Sequence, residues 1–343
     1  MQLQTCARSR GGAASEHLTA LPTRLRRVPT AVTAAPQRAA PLRKVNYHFT
    51  RRCNFGCGFC FHTAKNSHVM PLADAQRGLA LLADAGLTSI NFAGGEPFIE
   101  AGGLHVGELA RFCKHTLRLP FVSVISNGSL ITKDWLDQYA DCLDVLGVSC
   151  DSFHEPTNVA LGRRELGSGS IRSNEAHVER VARLAEWCRA VALPLKLNTV
   201  ITAQNVGEDM RDAVAALGPV RWKIFQCLLL ASENTGDDAL RRGSAYTVSD
   251  EAFSAFVDRH VTDDGLLRGV HGACAPPVRV AVESNAAMQS SYLVLDEHMR
   301  FLDCSAGGKQ PGPSLLEVGV AAAVRAAGFD EAAFLTRGGD WVL

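Results

Sequence analysis

A regular alternation of strand-like and helix-like segments between residues 45 and 227 constrains the fold more than any other feature. Short apolar runs such as Val45–Phe49 and Leu195–Ile201 predict strands. Helical spacing of apolar residues follows them, as in Leu72–Asp84, which ends before Gly86. Six such units predict a parallel α/β sheet that curls into a partial (βα)6 barrel. The other predicted strands are Thr88–Phe92, Val122–Ser126, Leu143–Ser149 and Arg221–Cys227, and the other helices are Gly107–His115, Lys133–Ala140, Ala176–Ala190 and Val206–Leu217.

The two ends of the chain lack this alternation. Residues 1–44 carry eight basic residues and a single acid, Glu16, which predicts a disordered basic leader or a transit peptide to an organelle. We expect residues 45–230 to form the barrel and residues 231–343 to form a C-terminal cap that closes the active site. The predicted elements of the cap are a helix at Asp250–Arg259, a loop-rich stretch at Val261–Val282, a hairpin of Ser291–Leu295 and Met299–Asp303, and a helix at Leu315–Ala327.

Composition narrows the functional classes. The 35 basic residues balance 35 acidic ones, so no global charge favours nucleic acid. No apolar run approaches the roughly 20 residues that span a bilayer, and no secretory signal is present. Most of the 11 cysteines are scattered through apolar or helical segments, as is typical of reduced thiols. We expect a monomer in the cytoplasm or an organellar matrix.

Three cysteines directly follow the first predicted strand. Cys53, Cys57 and Cys60 can supply three thiolates to a [4Fe–4S] cluster and leave the fourth iron open to a small chelating ligand. The alternative is a zinc site, for which His62 is the nearest fourth ligand. The cluster is favoured because barrels of this kind carry their chemistry at the C-terminal ends of strands.

Glycine-rich and polar segments end the next three predicted strands. The amino and carboxylate groups of S-adenosylmethionine are suitable ligands for the open iron. The glycines after the second strand allow backbone groups to approach such a ligand closely, and an arginine can bind its carboxylate through two N–H groups. Ordinary turn or capping roles are the alternative for each residue. The predicted ligand-binding residues are Gly94, Gly95, Glu96, Ser126, Ser149 and Arg163.

Basic and amide side chains recur at alternate positions of the last two predicted strands. Lys196 and Asn198 share one face of a strand, as do Arg221 and Lys223 on the next. Cations aimed into a barrel are costly unless an anion meets them, so this arrangement predicts a polyphosphate site. Surface-facing pairs on an edge strand are the alternative.

These segments together resemble the viperin family of radical S-adenosylmethionine nucleotide dehydratases. The resemblance covers roughly residues 45–340 and includes the runs CGFCFHTAK, GGEPF, SNGSLI, SCDSF and PVRWK. It implies the partial barrel and one reaction. A 5′-deoxyadenosyl radical from S-adenosylmethionine takes the 4′ hydrogen of a ribonucleoside triphosphate, usually CTP, and the 3′ hydroxyl leaves as water. One electron and one proton then give a 3′-deoxy-3′,4′-didehydro nucleotide, an antiviral chain terminator.

The resemblance also implies residue roles and partners. The three cysteines would bind iron, and the six residues given above would face S-adenosylmethionine. Tyr292 would close the site and donate hydrogen to the nucleotide radical; a packed hairpin aromatic is the alternative. The partners would be a flavodoxin or ferredoxin system as electron donor and the iron–sulfur assembly machinery. The residues expected to face triphosphate or ribose are Asn46, Lys196, Asn198, Arg221 and Lys223.

Departures from the family pattern leave some properties open. Ser89 stands where the family often has a lysine, which would remove one phosphate contact, and the chain ends at Leu343 without the longer tail of animal members. CTP is the first choice of substrate, UTP the second and GTP the third. Two other classes remain: a radical enzyme acting on peptides or molybdopterin precursors, for which Cys227, Cys274 and Cys304 are too dispersed, and a non-catalytic scaffold.

Overall fold

A ten-stranded β-sheet organises residues 42–166, 176–269 and 277–341, the parts of the chain that the computed structural model describes. The basic leader lies almost entirely outside these residues, as does most of the predicted loop at Glu165–Asn174. The strands are β1 (Lys44–Thr50), β2 (Ser89–Gly94), β3 (Phe121–Ser126), β4 (Val145–Ser149), β5 (Leu195–Ile201), β6 (Arg221–Gln226), β7 (Arg279–Glu283), β8 (Val294–Leu295), β9 (Arg300–Asp303) and β10 (Gln310–Ser314).

The order of strands across the sheet is β10-β9-β8-β1-β2-β3-β4-β5-β6-β7. Strands β1 to β6 pair in parallel and in chain order, as βα units require. Strand β7 adds in parallel beyond β6, and β8 adds in parallel beside β1. Strands β9 and β10 continue that edge as an antiparallel hairpin. The predicted parallel α/β sheet is therefore confirmed, and residues 277–341 extend it at both edges.

Helices follow most of the parallel strands. Thr132 caps the helix Lys133–Tyr139 by accepting the Trp135 amide at 3.2 Å, and Ser249 caps the helix Asp250–His260 in the same way at the Ala252 amide. The helices are α1 (Leu72–Asp84), α2 (Leu104–Arg111), α3 (Lys133–Tyr139), α4 (Glu155–Leu161), α5 (His177–Ala190), α6 (Arg211–Leu217), α7 (Asp250–His260), α8 (Asn285–Met288), α9 (Leu315–Val318), α10 (Val320–Arg325) and α11 (Glu331–Thr336). In this part of the chain, none is both long and apolar enough to cross a membrane.

Alternation along the strands separates a helix-packed apolar face from a polar inner face. In β5, Leu195, Leu197 and Ile201 are buried in the main hydrophobic core, whereas Lys196 and Asn198 point to the other face. That inner face is curved, because side chains from β1, β3, β5 and β6 line one cavity. The sheet is a partial barrel with a polar interior.

Three predicted elements differ from the structure. The helix predicted at Val206–Leu217 begins only at Arg211. The helix predicted at Leu315–Ala327 divides into α9 and α10 because Gly319 adopts a left-handed φ of 79° with extended ψ, which no helix accommodates. Strand β7 lies in the stretch predicted as loop-rich, since its five residues form a strand through their pairing with β6.

Candidate active site

The loop that carries the three cysteines is fixed by backbone contacts to the end of α4. The Gly56 amide donates to the Gly162 carbonyl at 3.2 Å, and the Gly58 amide donates to the Leu161 carbonyl at 3.0 Å. Gly162 has a φ of 73°, and a Cβ atom there would lie 2.4 Å from the Gly56 oxygen. This tight approach requires glycine and sets the path of the loop between Cys53 and Cys57.

The donor set of the loop fits an iron–sulfur cluster better than a single metal ion. Cys53, Cys57 and Cys60 are all free thiols. In the described ranges, the three-ligand group whose donor atoms lie within 4.8 Å of one another is a surface set elsewhere, and the three loop cysteines do not form one. Three thiolates are what a [4Fe–4S] cluster with one open iron requires, whereas a structural zinc site requires a fourth protein ligand.

The glycine turn after β2 lies directly on the cysteine loop. The Gly95 amide donates to the Thr50 carbonyl at 2.8 Å, and the Glu96 amide donates to the Arg52 carbonyl at 2.7 Å. A Cβ atom at Gly95 would lie 2.0 Å from the Arg52 oxygen, and one at Gly94 would lie 2.4 Å from the Thr50 oxygen. Both glycines therefore allow the backbone at the end of β2 to pack directly against the backbone that leads into the cysteine loop.

We expect Gly95→Ala to destabilise the protein by about 2 kcal/mol or more, because the added methyl group meets backbone that cannot move aside. Urea unfolding followed by circular dichroism measures this loss. Gly207→Ala is the matched control, since nothing lies within 4 Å of a Cβ atom at Gly207. Equal urea midpoints for the two variants would show that the turn tolerates a side chain.

Glu96 joins the ends of β2 and β3. Its carboxylate is fully buried and accepts hydrogen bonds from the Ser126 hydroxyl at 2.7 Å and the Asn127 amide at 2.7 Å. Burial raises the pKa of Glu96 to about 7, although these hydrogen bonds oppose the shift. Glu96 and Ser126 are thus engaged with each other, and contact of either residue with S-adenosylmethionine stays a prediction.

The polar end of β4 contributes Ser149 and an ion pair. Arg163 binds the buried carboxylate of Asp151 through Nε at 2.6 Å and through a second nitrogen, and its guanidinium lies 5.7 Å from the centre of the Phe59 ring. The carbonyl oxygen of Ser149 accepts a hydrogen bond from His177 Nε2 at 3.0 Å. Arg163 therefore lies beside the cysteine loop, held by Asp151, which sequence reasoning did not single out.

A second group of predicted residues lines the cavity inside the barrel. Asn46, Lys196, Asn198, Arg221 and Lys223 all face it. Lys196 makes no hydrogen bond or ion pair with the residues that the structure describes, and burial together with the charge of Lys223 holds its pKa well below the usual value. Asn198 Oδ1 is buried without a hydrogen-bond partner there. The structure thus brings the residues predicted to bind polyphosphate together. Among the described residues, the Lys196 amino group and Asn198 Oδ1 have no hydrogen-bond partner.

Two important residues of this cavity escaped sequence reasoning. Glu283, at the end of β7, is fully buried and forms ion pairs with Lys223 and, at 3.2 Å, with Arg337. The Tyr292 hydroxyl also contacts the Glu283 carboxylate and accepts a hydrogen bond from Lys223 at 3.0 Å. The RGG run at residues 337–339 was the available signal for Arg337; no local pattern indicated Glu283.

Comparison with known proteins supports the fold class. Residues 47–217 match the model of the Radical SAM superfamily. Streptococcus suis SuiB bound to S-adenosylmethionine superposes with a TM-score of 0.58 at 19% identity, over 86% of this chain and 67% of that one. This identity supports the fold alone. The curled parallel sheet, its three-cysteine loop and the superfamily match define a radical S-adenosylmethionine enzyme.

More similar sequences narrow the class. The S-adenosylmethionine-dependent nucleotide dehydratase RSAD2 of Oncorhynchus mykiss is 47% identical over 306 residues, 89% of this chain and 82% of that protein. The protein of the same name from Danio rerio is 48% identical over 298 residues, 87% and 77% of the two chains. The chain belongs to this family of S-adenosylmethionine-dependent nucleotide dehydratases.

Proposed function

We propose that this enzyme dehydrates a ribonucleoside triphosphate to its 3′-deoxy-3′,4′-didehydro analogue, with CTP as the preferred substrate and UTP and GTP as the next candidates. The main observation in favour of a triphosphate is the cavity on the inner face of the barrel, which is lined by Lys196, Arg221 and Lys223. The names of the relatives support a nucleotide, and the cationic residues support a polyphosphate chain on it.

The direction of β1 supports an orientation for the nucleotide. The cavity cations Lys196, Arg221 and Lys223 lie in the N-terminal halves of their strands, and the cysteine loop follows the C-terminal end of β1. Six residue steps along β1 span about 20 Å. A triphosphate at the cationic end would therefore extend its ribose past Asn46, whose Oδ1 accepts the Asn91 side-chain amide at 2.9 Å, toward the cysteine loop.

Cys53, Cys57 and Cys60 would hold a [4Fe–4S] cluster, and Gly94, Gly95, Glu96, Ser126, Ser149 and Arg163 would surround S-adenosylmethionine. Cluster and S-adenosylmethionine together supply, when bound and reduced, a 5′-deoxyadenosyl radical that removes the 4′ hydrogen of the substrate. The buried barrel interior holds the ribose in place and excludes water from it.

The nucleotide loses one hydrogen from C4′ and the hydroxyl from C3′, and a C3′–C4′ double bond forms. The hydroxyl leaves as water with one added proton, and one electron is needed in the same step. Tyr292 is proposed to deliver this proton and electron together as a hydrogen atom, and the electron donor and a solvent proton then restore the tyrosine. A one-electron donor of the flavodoxin or ferredoxin class supplies two electrons per turnover, one for S-adenosylmethionine and one for the nucleotide.

An anaerobic assay of the reconstituted enzyme tests the proposal. S-adenosylmethionine and dithionite are added with CTP, UTP, GTP or ATP separately, and mass spectrometry follows 5′-deoxyadenosine and a triphosphate lighter by one water. The expected result is both products with one preferred nucleotide. Equal, slow 5′-deoxyadenosine formation with every nucleotide and no dehydrated triphosphate would refute the proposal and direct attention to another substrate, such as a peptide.

Replacement of Cys57 by alanine is expected to abolish formation of both products, because two thiolates cannot hold the cluster in place. Iron content and visible absorbance after reconstitution provide readouts independent of turnover. Cys113→Ala is the matched control, since Cys113 is equally free and buried but packs in the main core. Wild-type iron content in the Cys57 variant would refute its assignment as a ligand.

A further inference from the structure

Lys44 belongs to the barrel, although sequence reasoning counted it among the leader cations. It is the first residue of β1 and lines the same cavity as Lys196, Arg221 and Lys223. Its side chain shares a strand face with Asn46, which is two residues farther along the strand. Lys44 Nζ lies 3.4 Å from the Trp341 carbonyl oxygen and 5.3 Å from the centre of the Phe121 ring.

The neighbour of Lys44 across the sheet is Ser89. The two residues are register partners in the parallel pairing of β1 with β2, so their side chains lie on the same face. Ser89 is 5% exposed, and its hydroxyl has no hydrogen-bond partner in the described parts of the chain. The small residue leaves the space beside Lys44 unfilled by another charge.

The surroundings of Lys44 lack sufficient negative charge. Burial, together with the charges of Lys223 and Arg221, lowers the pKa of Lys44 to about 7. Asp340 opposes this shift but is solvent-exposed. The buried carboxylate of Glu283 is already shared by Lys223 and Arg337. A cation in such surroundings is stabilised by an anion that enters the cavity.

We propose that Lys44 binds the phosphate chain of the substrate and supplies, from β1, the cation that Ser89 does not supply from β2. This inference rests on the proposed function. A lysine at position 44 lies one strand, about 4.8 Å, from a lysine placed at position 89, and both positions are on the same face of the sheet. Lys44 is thus a substrate-binding residue that this chain carries on β1, beside the small residue Ser89 of β2.

A charge swap across the strand pair tests the inference. Lys44→Ser is expected to raise the KM for the preferred nucleotide triphosphate about tenfold, the effect of losing one charge-assisted hydrogen bond. It is also expected to weaken binding of inorganic tripolyphosphate to the reconstituted enzyme by a similar factor, measured by calorimetry. The double variant Lys44→Ser/Ser89→Lys is expected to restore both values. Lys133→Ser, on the surface beside Asp137, is the matched control.

The two readouts separate this inference from the proposed function. Tripolyphosphate binding requires no turnover, so a wild-type enzyme that dehydrates no nucleotide refutes the function without deciding the role of Lys44. Unchanged tripolyphosphate affinity in Lys44→Ser would overturn the inference, even if every nucleotide assay succeeds. Restoration by the double variant would exclude a merely structural loss, because the lysine then returns on the neighbouring strand.

Discussion

Replacing Glu283 with glutamine is expected to lower the melting temperature by on the order of 5 °C. It is also expected to increase the rise in melting temperature that added tripolyphosphate causes. Glu283 is fully buried and pairs with Lys223 and Arg337. Although burial alone would raise the pKa of Glu283, these two cations hold it below its usual value, so the carboxylate is ionised at neutral pH. Loss of one partner from such a cluster typically costs about 3 kcal/mol or more.

The rescue distinguishes charge from packing. Glutamine keeps the volume of Glu283 but leaves the cavity cations without their internal anion, so tripolyphosphate should raise the melting temperature of the variant more than that of the wild type. Differential scanning fluorimetry measures both effects. Asp137→Asn, which breaks a surface pair with Lys133, is the control and should change stability by less than about 1 kcal/mol. Equal stabilisation of variant and wild type by tripolyphosphate would contradict the assignment of Glu283 as counterion.

The second large effect is expected for Tyr292→Phe. Dehydrated nucleotide should fall by about 100-fold or more, as is typical for loss of a positioned proton donor, while 5′-deoxyadenosine continues to form. The change is conservative because phenylalanine keeps the ring, whose centre lies 3.8 Å from the Arg337 guanidinium. Burial and the adjacent Glu283 carboxylate hold the pKa of Tyr292 well above its usual value, so the phenol retains its proton throughout the neutral range.

Quantifying both products by mass spectrometry in the same reaction gives the ratio that decides the role of Tyr292. Loss of hydrogen donation uncouples the two products, whereas a general loss of structure lowers both together. Tyr139→Phe is the control, because the Tyr139 hydroxyl bonds Glu108 at 2.8 Å in the helical layer. A wild-type ratio of dehydrated nucleotide to 5′-deoxyadenosine in Tyr292→Phe would show that hydrogen comes from elsewhere.

Local patterns in the sequence predicted those site residues that can be identified from a single strand or the loop that follows it. The spacing of Cys53, Cys57 and Cys60 and the glycines at the end of β2 are contiguous signals, and the alternation of Lys196 with Asn198 follows from strand geometry. The structure places all of them on the inner face or C-terminal loops of one parallel sheet.

Residues that depend on distant pairing could not be predicted in this way. Glu283 reaches Lys223 because β7 pairs with β6, a contact between segments separated by more than fifty residues. Lys44 lies at the end of the basic segment 1–44, so the sequence around it resembles the leader rather than a strand. The role proposed for Lys44 rests on the register that places it opposite Ser89. Register and long-range pairing are tertiary properties that single-segment patterns do not contain.

The closure of the barrel has a mechanical consequence. In the described part of the chain, no strand pairs with both β7 and β8, so no backbone ladder joins these two strands. Glu283 at the end of β7 and Tyr292 just before β8 meet through their side chains instead. This side-chain contact can separate by rotation about side-chain bonds, without breaking backbone hydrogen bonds. An anion that binds Lys223 and Arg337 would compete with Glu283 for these cations at this side-chain contact.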